Sequence, residues 1–192
     1  MIGNYINVIA TTEYGMNASN KHIFQDVSEA GIWNLMKEIY DPEIPVVSIV
    51  DLGIVRSCDV SELTNSEPKV SVTITPTYSG CPAMDVITIN IRMKLLEHGF
   101  KKIDVKTILS PAWTTDWMTP EGKEKLAAFG IAPPNPSQSV CTIDSFQEEE
   151  VVQCPRCKSY HTKMVSRFGS TACKALYQCI DCNEPFDYFK CH

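Results

Sequence analysis

Apolar residues recur along this chain with two different periods, one helical and one of a strand. Residues 1–25 show neither and read as loop or disorder. From there Ile32, Leu35, Met36 and Ile39 fall three and four apart, the spacing of one helix face. Asp26 followed by Glu29 makes a capping box at its start. The helix is expected to run to about Tyr40, because Pro42 denies helical geometry to Asp41. The stretch VVSIVDLGIVRSCDV is extended in character and broken at Gly53, as a bulge or turn breaks a strand. Past the polar turn SELTNSEP the period becomes two, with Val70, Val72 and Ile74 alternating with Ser71, Thr73 and Thr75. Lys69 to Thr75 is therefore a half-buried strand and the second arm of a hairpin.

A loop, TPTYSGCP, leads into the next helical pattern, Met84, Ile87, Ile91 and Leu95, which Gly99 is placed to end. Pro82 suits the first helical position, which makes Cys81 the expected N-cap. Phe100 to Leu109 reads as a third strand, and Thr119-Pro120 opens a short helix that closes at Gly130. The order helix, strand, strand, helix, strand predicts an α+β fold in which helices cover one face of a small sheet. The expected organisation is a domain at 26–131, a Pro-rich and acidic linker at 132–150, and a separate unit at 151–192.

That last unit carries the most specific pattern in the chain. Cys154-Pro-Arg-Cys157 and Cys179-Ile-Asp-Cys182 are two cysteine pairs with two residues inside each and one hairpin's length between them. Cys154, Cys157, Cys179 and Cys182 are the spacing of a closed four-thiolate site, which suits structural Zn2+ and leaves no position for chemistry. So small a ribbon cannot bury enough surface to stand unaided, and metal binding supplies the missing folding energy.

Composition narrows the setting. In 192 residues with 44% hydrophobic content there is room for one real core plus an appendage. The nine cysteines come without a secretory leader pattern, so they read as metal ligands of a cytoplasmic protein rather than disulfides. No run approaches the ~18 apolar residues of a membrane span. Net charge is −6, with the ribbon carrying six Lys/Arg against three acids. That basic excess is too small to predict nucleic-acid binding and reads as a solvated face.

Outside the ribbon, Cys81 is the most suggestive residue. At a helix start, free backbone amides and the positive dipole end would stabilise its thiolate, ready to attack an electrophile or to hold iron or zinc. The competing reading is a small residue that merely caps the helix. Asp41 and Glu43 could offer hard ligands to iron or act as acid and base, or else cap a turn and face solvent. Thr75, Tyr78 and Ser79 could line the same end of the sheet or simply form the turn. Trp113 and Trp117 read equally as an interface anchor or a lid on the core. Cys173, Cys191, His161 and His192 are spare ligand types, assigned by default to packing or surface, with ligand exchange by Cys173 or Cys191 left open. Cys58 and Cys141 lack partner spacing. No phosphate loop, dinucleotide fingerprint, HExxH helix or serine elbow is present, and neither His22 nor His98 lies in a motif that would make it a base for Cys81.

The stretches DPEIPVVSIVDLGIV and TPTYSGCPA closely resemble the small iron–sulfur assembly domain of SufT-like and MIP-type cytosolic assembly proteins. PAWTTDWMTP, FGSTACKALYQC and EPFDYFKC narrow the resemblance to the PaaD (PaaJ) family, subunits encoded with the bacterial 1,2-phenylacetyl-CoA epoxidase, a multicomponent monooxygenase. It covers the chain from about Asp26 to His192. The resemblance implies a non-catalytic accessory role in phenylacetate degradation, in maturation or repair of a partner's di-iron or iron–sulfur centre. It implies as partners the oxygenase and reductase subunits and iron–sulfur assembly proteins, with no nucleic acid and no membrane. By position, Cys81 matches the domain's reactive cysteine, where iron or a cluster would be held transiently. Asp41, Glu43 and Thr75 match its signature positions. Ser110 departs from the pattern, standing before PAWTTDW where an aspartate is expected, and the first 25 residues match nothing. Three readings of the whole thus stand beside maturation: a structural adaptor, an enzymic Cys81 nucleophile acting on a CoA thioester, and a zinc-ribbon nucleic-acid binder.

Overall fold

A computed structural model describes residues 28–61, 67–135 and 151–190. Residues 1–25, Asp26 of the expected capping box, His22, Cys141, Cys191 and His192 lie outside them. The first helix, α1, spans Glu29–Lys37, and its cap is Ser28, whose Oγ accepts from the Gly31 amide at 3.1 Å. It ends short of Tyr40, closing at Glu38 as its amide folds back to the Leu35 and Met36 carbonyls. Ile32 and Met36 are wholly buried, as the spacing requires.

The extended stretch expected from Val46 does not form a strand until Val55. Ser48 and Asp51 hold the preceding residues in a turn, the Ser48 amide donating to Asp51 Oδ2 and the Asp51 amide to Ser48 Oγ, each at 3.0 Å. Gly53 then takes φ +67, and a Cβ there would lie 2.3 Å from the Trp117 carbonyl oxygen, so only glycine fits. Strand β1 (Val55–Ser61) pairs antiparallel with β2 (Lys69–Ile74), the expected hairpin. A register shift between Val55 and Ser57 inserts Arg56 as an extra residue. Val55, Cys58 and Val60 thereby stand opposite Ile74, Val72 and Val70, where simple alternation would have sent Cys58 to the other face.

Helix α2 (Ala83–Glu97) crosses back so that β3 (Lys102–Thr107) lies parallel to β2, which becomes the central strand. A parallel neighbour requires a crossover of this kind. Ile87, Ile91 and Leu95 of α2 meet Val70, Val72 and Ile74 of β2 in one buried cluster. Each such side chain contributes about 1.5–3 kcal/mol relative to exposure. Pro82, already helical at φ −70 and ψ −21, occupies the N-cap, and no side chain caps this helix. Cys81, the expected N-cap, thus stands one residue before the observed one, its amide bonded to the Tyr78 carbonyl at 3.1 Å.

A cis Ser110–Pro111 bond and a short 3-10 turn (Thr115–Trp117) lead to α3 (Pro120–Phe129). This helix begins and ends as its sequence demands, with Thr119 Oγ1 accepting from the Gly122 amide and Gly130 at φ 95. The second sheet, β4 (Thr162–Ser166), β5 (Lys174–Cys179) and β6 (Pro185–Phe189), is antiparallel with β5 central. It is continuous with the first part of the molecule. Ala132 bridges to Tyr188, its amide donating to Asp187 O at 2.8 Å while its carbonyl accepts from the Phe189 amide at 2.9 Å. Phe189 and Cys173 are buried in the first domain's core cluster, and Phe189 meets Trp113 edge-on with centroids 6.0 Å apart. The α+β class and the element order are those the sequence predicts. Among the described residues no helix is long and apolar enough to cross a membrane.

Candidate functional site

Two cysteine centres are present, one within the ribbon and one at the loop after β2. In the first, each pair of sulfurs comes from a tight knuckle. Lys158 and Asn183, the residues directly after Cys157 and Cys182, both take positive φ (65 and 60), which turns each knuckle back on itself. Asparagine adopts that conformation readily and lysine does not, so only the second knuckle announces its turn in sequence. The Sγ atoms of Cys154 and Cys182 approach to 3.8 Å and those of Cys157 and Cys179 to 3.5 Å. All four lie within 4.8 Å of one another.

Protons are shared unevenly among these sulfurs. The Cys182 backbone amide, with help from Cys157 and the Asp181 amide, draws Cys179 down to about 7. Cys157 is pushed up to about 12: the Ser159 amide lowers it, but desolvation and the neighbouring sulfurs outweigh that. A divalent cation relieves this crowding by replacing the remaining protons. Four converging thiolates with no fifth donor among the described residues fit tetrahedral Zn2+ and leave it closed to substrate. His161, the spare imidazole of the ribbon, is turned away to Asp181, with Nδ1 3.0 Å from Oδ1.

The second centre lies at the C-terminal end of β2. Asp41 is buried, and its Oδ1 accepts from the amides of Glu43 and Ile44 at 2.8 and 2.9 Å. It is both a turn cap and a carboxylate whose charge reaches Cys81. Glu43 is exposed on the same turn. Cys81 is half-buried, with Thr77 and the Ala83 amide directed at its sulfur. Burial raises its pKa, the Ala83 amide lowers it, and the Glu43 and Asp41 carboxylates raise it further, with Thr77 a smaller offset. The outcome is upward, opposite to a dipole-activated thiolate. Burial and two carboxylates outweigh the helix end. Thr75 is 1% exposed, and its Oγ1 is a buried side-chain oxygen with no hydrogen-bond partner among the described residues. An orphaned hydroxyl of this kind costs about 1–3 kcal/mol and calls for a ligand or ordered water.

The structure gathers Asp41, Glu43, Thr77, Tyr78 and Cys81 here. Cys173 of the ribbon is buried at 6% exposure against the first domain, and its charge and that of Cys81 are felt at Tyr78. Ser79 is exposed. Trp113 is a lid on the core, its Nε1 donating to the Leu52 carbonyl at 2.9 Å, and Trp117 is covered by the Arg56 guanidinium 3.3 Å from its ring centroid. Asp51 escaped the sequence reading, because Thr119 and Lys125, which tie it to α3, are distant in the chain. Lys125 Nζ approaches Oδ2 at 2.6 Å and Thr119 Oγ1 donates to Oδ1 at 3.2 Å, tying α3 to the loop before β1.

Residues 29–105 match the family described as iron–sulfur cluster assembly protein, and residues 138–190 match the PaaD zinc beta ribbon domain. An Escherichia coli protein named for a role as one subunit of a 1,2-phenylacetyl-CoA epoxidase is 49% identical over 160 residues, covering 83% of this chain and 91% of that one. The chain belongs to the PaaD family. An Fe–S protein maturation auxiliary factor of Porphyromonas gingivalis is 35% identical over 100 residues, 52% of this chain and 90% of that one. Among solved structures, a domain of unknown function from Bacillus anthracis is similar over 51% of this chain and 90% of its own, at 28% identity and a TM-score of 0.44. PaaD relatives thus span both halves of the molecule, whereas the maturation factor matches about half of the chain.

Proposed function

We propose that this chain is a cytoplasmic accessory subunit of a phenylacetyl-CoA epoxidase system that helps load or repair a metal centre in its oxygenase or reductase partner. Its cargo, iron or a nascent iron–sulfur cluster, is taken at Cys81 with Asp41, Glu43 and Thr75 around it. The four ribbon cysteines hold Zn2+ as a structural ion. The observation that carries this reading is a half-buried thiol whose pKa burial and two carboxylates raise, in the loop that follows an orphaned buried hydroxyl. Such a thiol is a poor free nucleophile but becomes a thiolate when a thiophilic cation displaces its proton. The two described histidines are engaged elsewhere, His98 Nδ1 with the Lys94 carbonyl at 2.8 Å and His161 with Asp181, so neither serves Cys81 as a general base. The relatives named for an epoxidase subunit and for Fe–S maturation support the same role.

One observation favours a purely structural adaptor instead. Val86, Ile89, Met93 and Leu96 are 45–58% exposed at helical spacing on α2, an apolar stripe able to dock on an epoxidase subunit. The two readings part at Cys81. Oxygenase and reductase subunits are co-expressed with wild type, with Cys81→Ser, or with neither, and their iron and acid-labile sulfide are measured. Maturation predicts full loading with wild type alone. Equal loading by Cys81→Ser gives the role to the adaptor, and equal loading in all three samples rejects maturation.

A further inference from the structure

Charge is spread unevenly over the ribbon. Its three acids are all engaged: Asp181 accepts from Ser159 and faces His161, Glu184 pairs with Arg156, and Asp187 lies 3.6 Å from Lys174 Nζ. Lys158 turns its ammonium to the Pro155 carbonyl at 2.7 Å. Among the described residues, Lys163 and Lys190 are left without a carboxylate partner. Lys190 instead stands over the Phe168 ring, with Nζ 4.7 Å from its centroid, a cation held on an aromatic face. Burial lowers the Lys190 pKa and the nearby Arg167 charge lowers it further, so two cations crowd this ring.

Apolar side chains stand among these cations, and the backbone is what exposes them. Strand β4 is the outermost of its sheet, and a register shift between Met164 and Ser166 leaves Val165 as an extra residue. A bulge of this kind re-aims a side chain. Val165 is 54% exposed and Phe168 61%. Phe168 is nevertheless held firmly. Its amide donates to Ser166 Oγ at 3.3 Å, its carbonyl accepts from the same hydroxyl at 2.8 Å, and the Gly169 amide donates to the Lys174 carbonyl at 2.8 Å. Lys190 is fixed from the other side, because it follows Phe189, which is buried against Trp113. An aromatic ring already fixed in water loses little freedom when a partner covers it. Lys163 and the bulge also blunt the open edge of β4 against an added strand, so contact here is made through side chains.

We propose that Val165 and Phe168, with Lys163, Arg167 and Lys190 around them, are the face on which the ribbon docks an acidic segment of an oxygenase or reductase subunit. This rests on the accessory-subunit reading and deepens it, giving the ribbon a task beyond its zinc. Charge complementarity selects the occupant: cations around an apolar centre fit carboxylates that flank an apolar side chain. Aromatic residues and arginine are enriched at such interfaces. A nucleic acid is disfavoured, because the chain as a whole carries −6 and repels a polyanion. The assembly family match ends at residue 105 and the ribbon is matched by a domain of its own, so a choice of client beyond general assembly belongs to this part of the chain.

The test measures binding of the full, zinc-loaded chain to the purified oxygenase and reductase subunits, by calorimetry at low and high salt. Wild type is expected to bind one of them, less tightly as salt is raised. Phe168→Ala should weaken that binding about 10-fold or more, as loss of an interface anchor does. Lys163→Glu should weaken it further than Lys163→Gln, and both should reduce its salt dependence. Retained zinc and an unchanged circular dichroism spectrum in these variants show that the ribbon is folded. Undiminished binding by Phe168→Ala and Lys163→Glu, with loss in Ile89→Glu on α2, moves docking to the helix and overturns the ribbon face while leaving the accessory role intact. A dimer of the chain alone that Phe168→Ala dissociates gives the face to a second copy and overturns the proposal, as does duplex DNA retained by wild type and released by Lys163→Glu. Failure of wild type to bind either subunit also overturns it, and metal loading in the co-expression experiment then decides the accessory role by itself.

Discussion

At the scale of single residues, the behaviour of Cys81 is decided by a contest between its backbone and its neighbours. The Ala83 amide favours the thiolate, whereas burial and the carboxylates of Glu43 and Asp41 oppose it, and the opposition prevails. In metal-free protein, alkylation of Cys81 by iodoacetamide, followed in the peptide map, should therefore have its midpoint at higher pH than an ordinary cysteine. Glu43→Gln removes one opposing charge and should move the midpoint down, while Thr77→Val removes a hydrogen bond to the thiolate and should move it up. Coincident profiles for wild type and Glu43→Gln would show that this carboxylate does not act on the sulfur.

Asp51 shows how one side chain binds elements together. It closes the turn before β1 through Ser48 and anchors α3 through Thr119 and Lys125. Burial raises its pKa, but the hydrogen bonds from Lys125 and Ser48 outweigh burial and hold the carboxyl below its ordinary value. A group depressed in this way stabilises the fold above its unfolded pKa of about 3.9, and that contribution disappears as pH falls through the folded value. Asp51→Asn should cost about 1–3 kcal/mol at neutral pH, the loss of charge-assisted hydrogen bonds to a partner lysine that is itself half exposed. The gap between variant and wild type, measured by urea unfolding, should close as the pH falls below about 4. A gap unchanged down to pH 3 would place its origin outside the ionised carboxylate. The elements themselves were largely legible beforehand. Val70, Val72 and Ile74 alternate, Thr119 and Gly130 bracket α3, and Gly99 follows α2, each a signal local to a few residues. The turn at 46–53 was not, because Val47, Ile49 and Leu52 are buried there with no strand or helix period and the turn is closed by Ser48 and Asp51 side chains.

Across the whole molecule, the ribbon and the assembly domain are joined by backbone pairing at Ala132 and by burial of Phe189 and Cys173. Removing zinc should then disturb more than the ribbon. Chelation at neutral pH is expected to shift tryptophan emission to longer wavelength, since Phe189 leaves the edge of Trp113. It should also lower the unfolding temperature of the first domain. A first domain that melts unchanged after zinc loss would show that the interface contributes nothing to its stability. The linker expected from residue 132 begins as part of this interface, because Ala132 takes a strand partner that no local pattern announces.

Sequence alone determined what depends on neighbours along the chain: the helices, the caps of α3, the hairpin, and the two Cys-x-x-Cys knuckles whose spacing dictates a four-sulfur cluster. The tertiary structure decided what depends on distance through space. It buried Cys173 of the ribbon in the first domain's core, gave Asp51 its partners across the fold, left Thr75 Oγ1 buried without one among the described residues, and turned the expected activation of Cys81 into suppression. Burial and charge act over a few ångströms irrespective of sequence separation, so the elements can be read from local pattern while the chemistry of the site emerges only when the chain has closed around it.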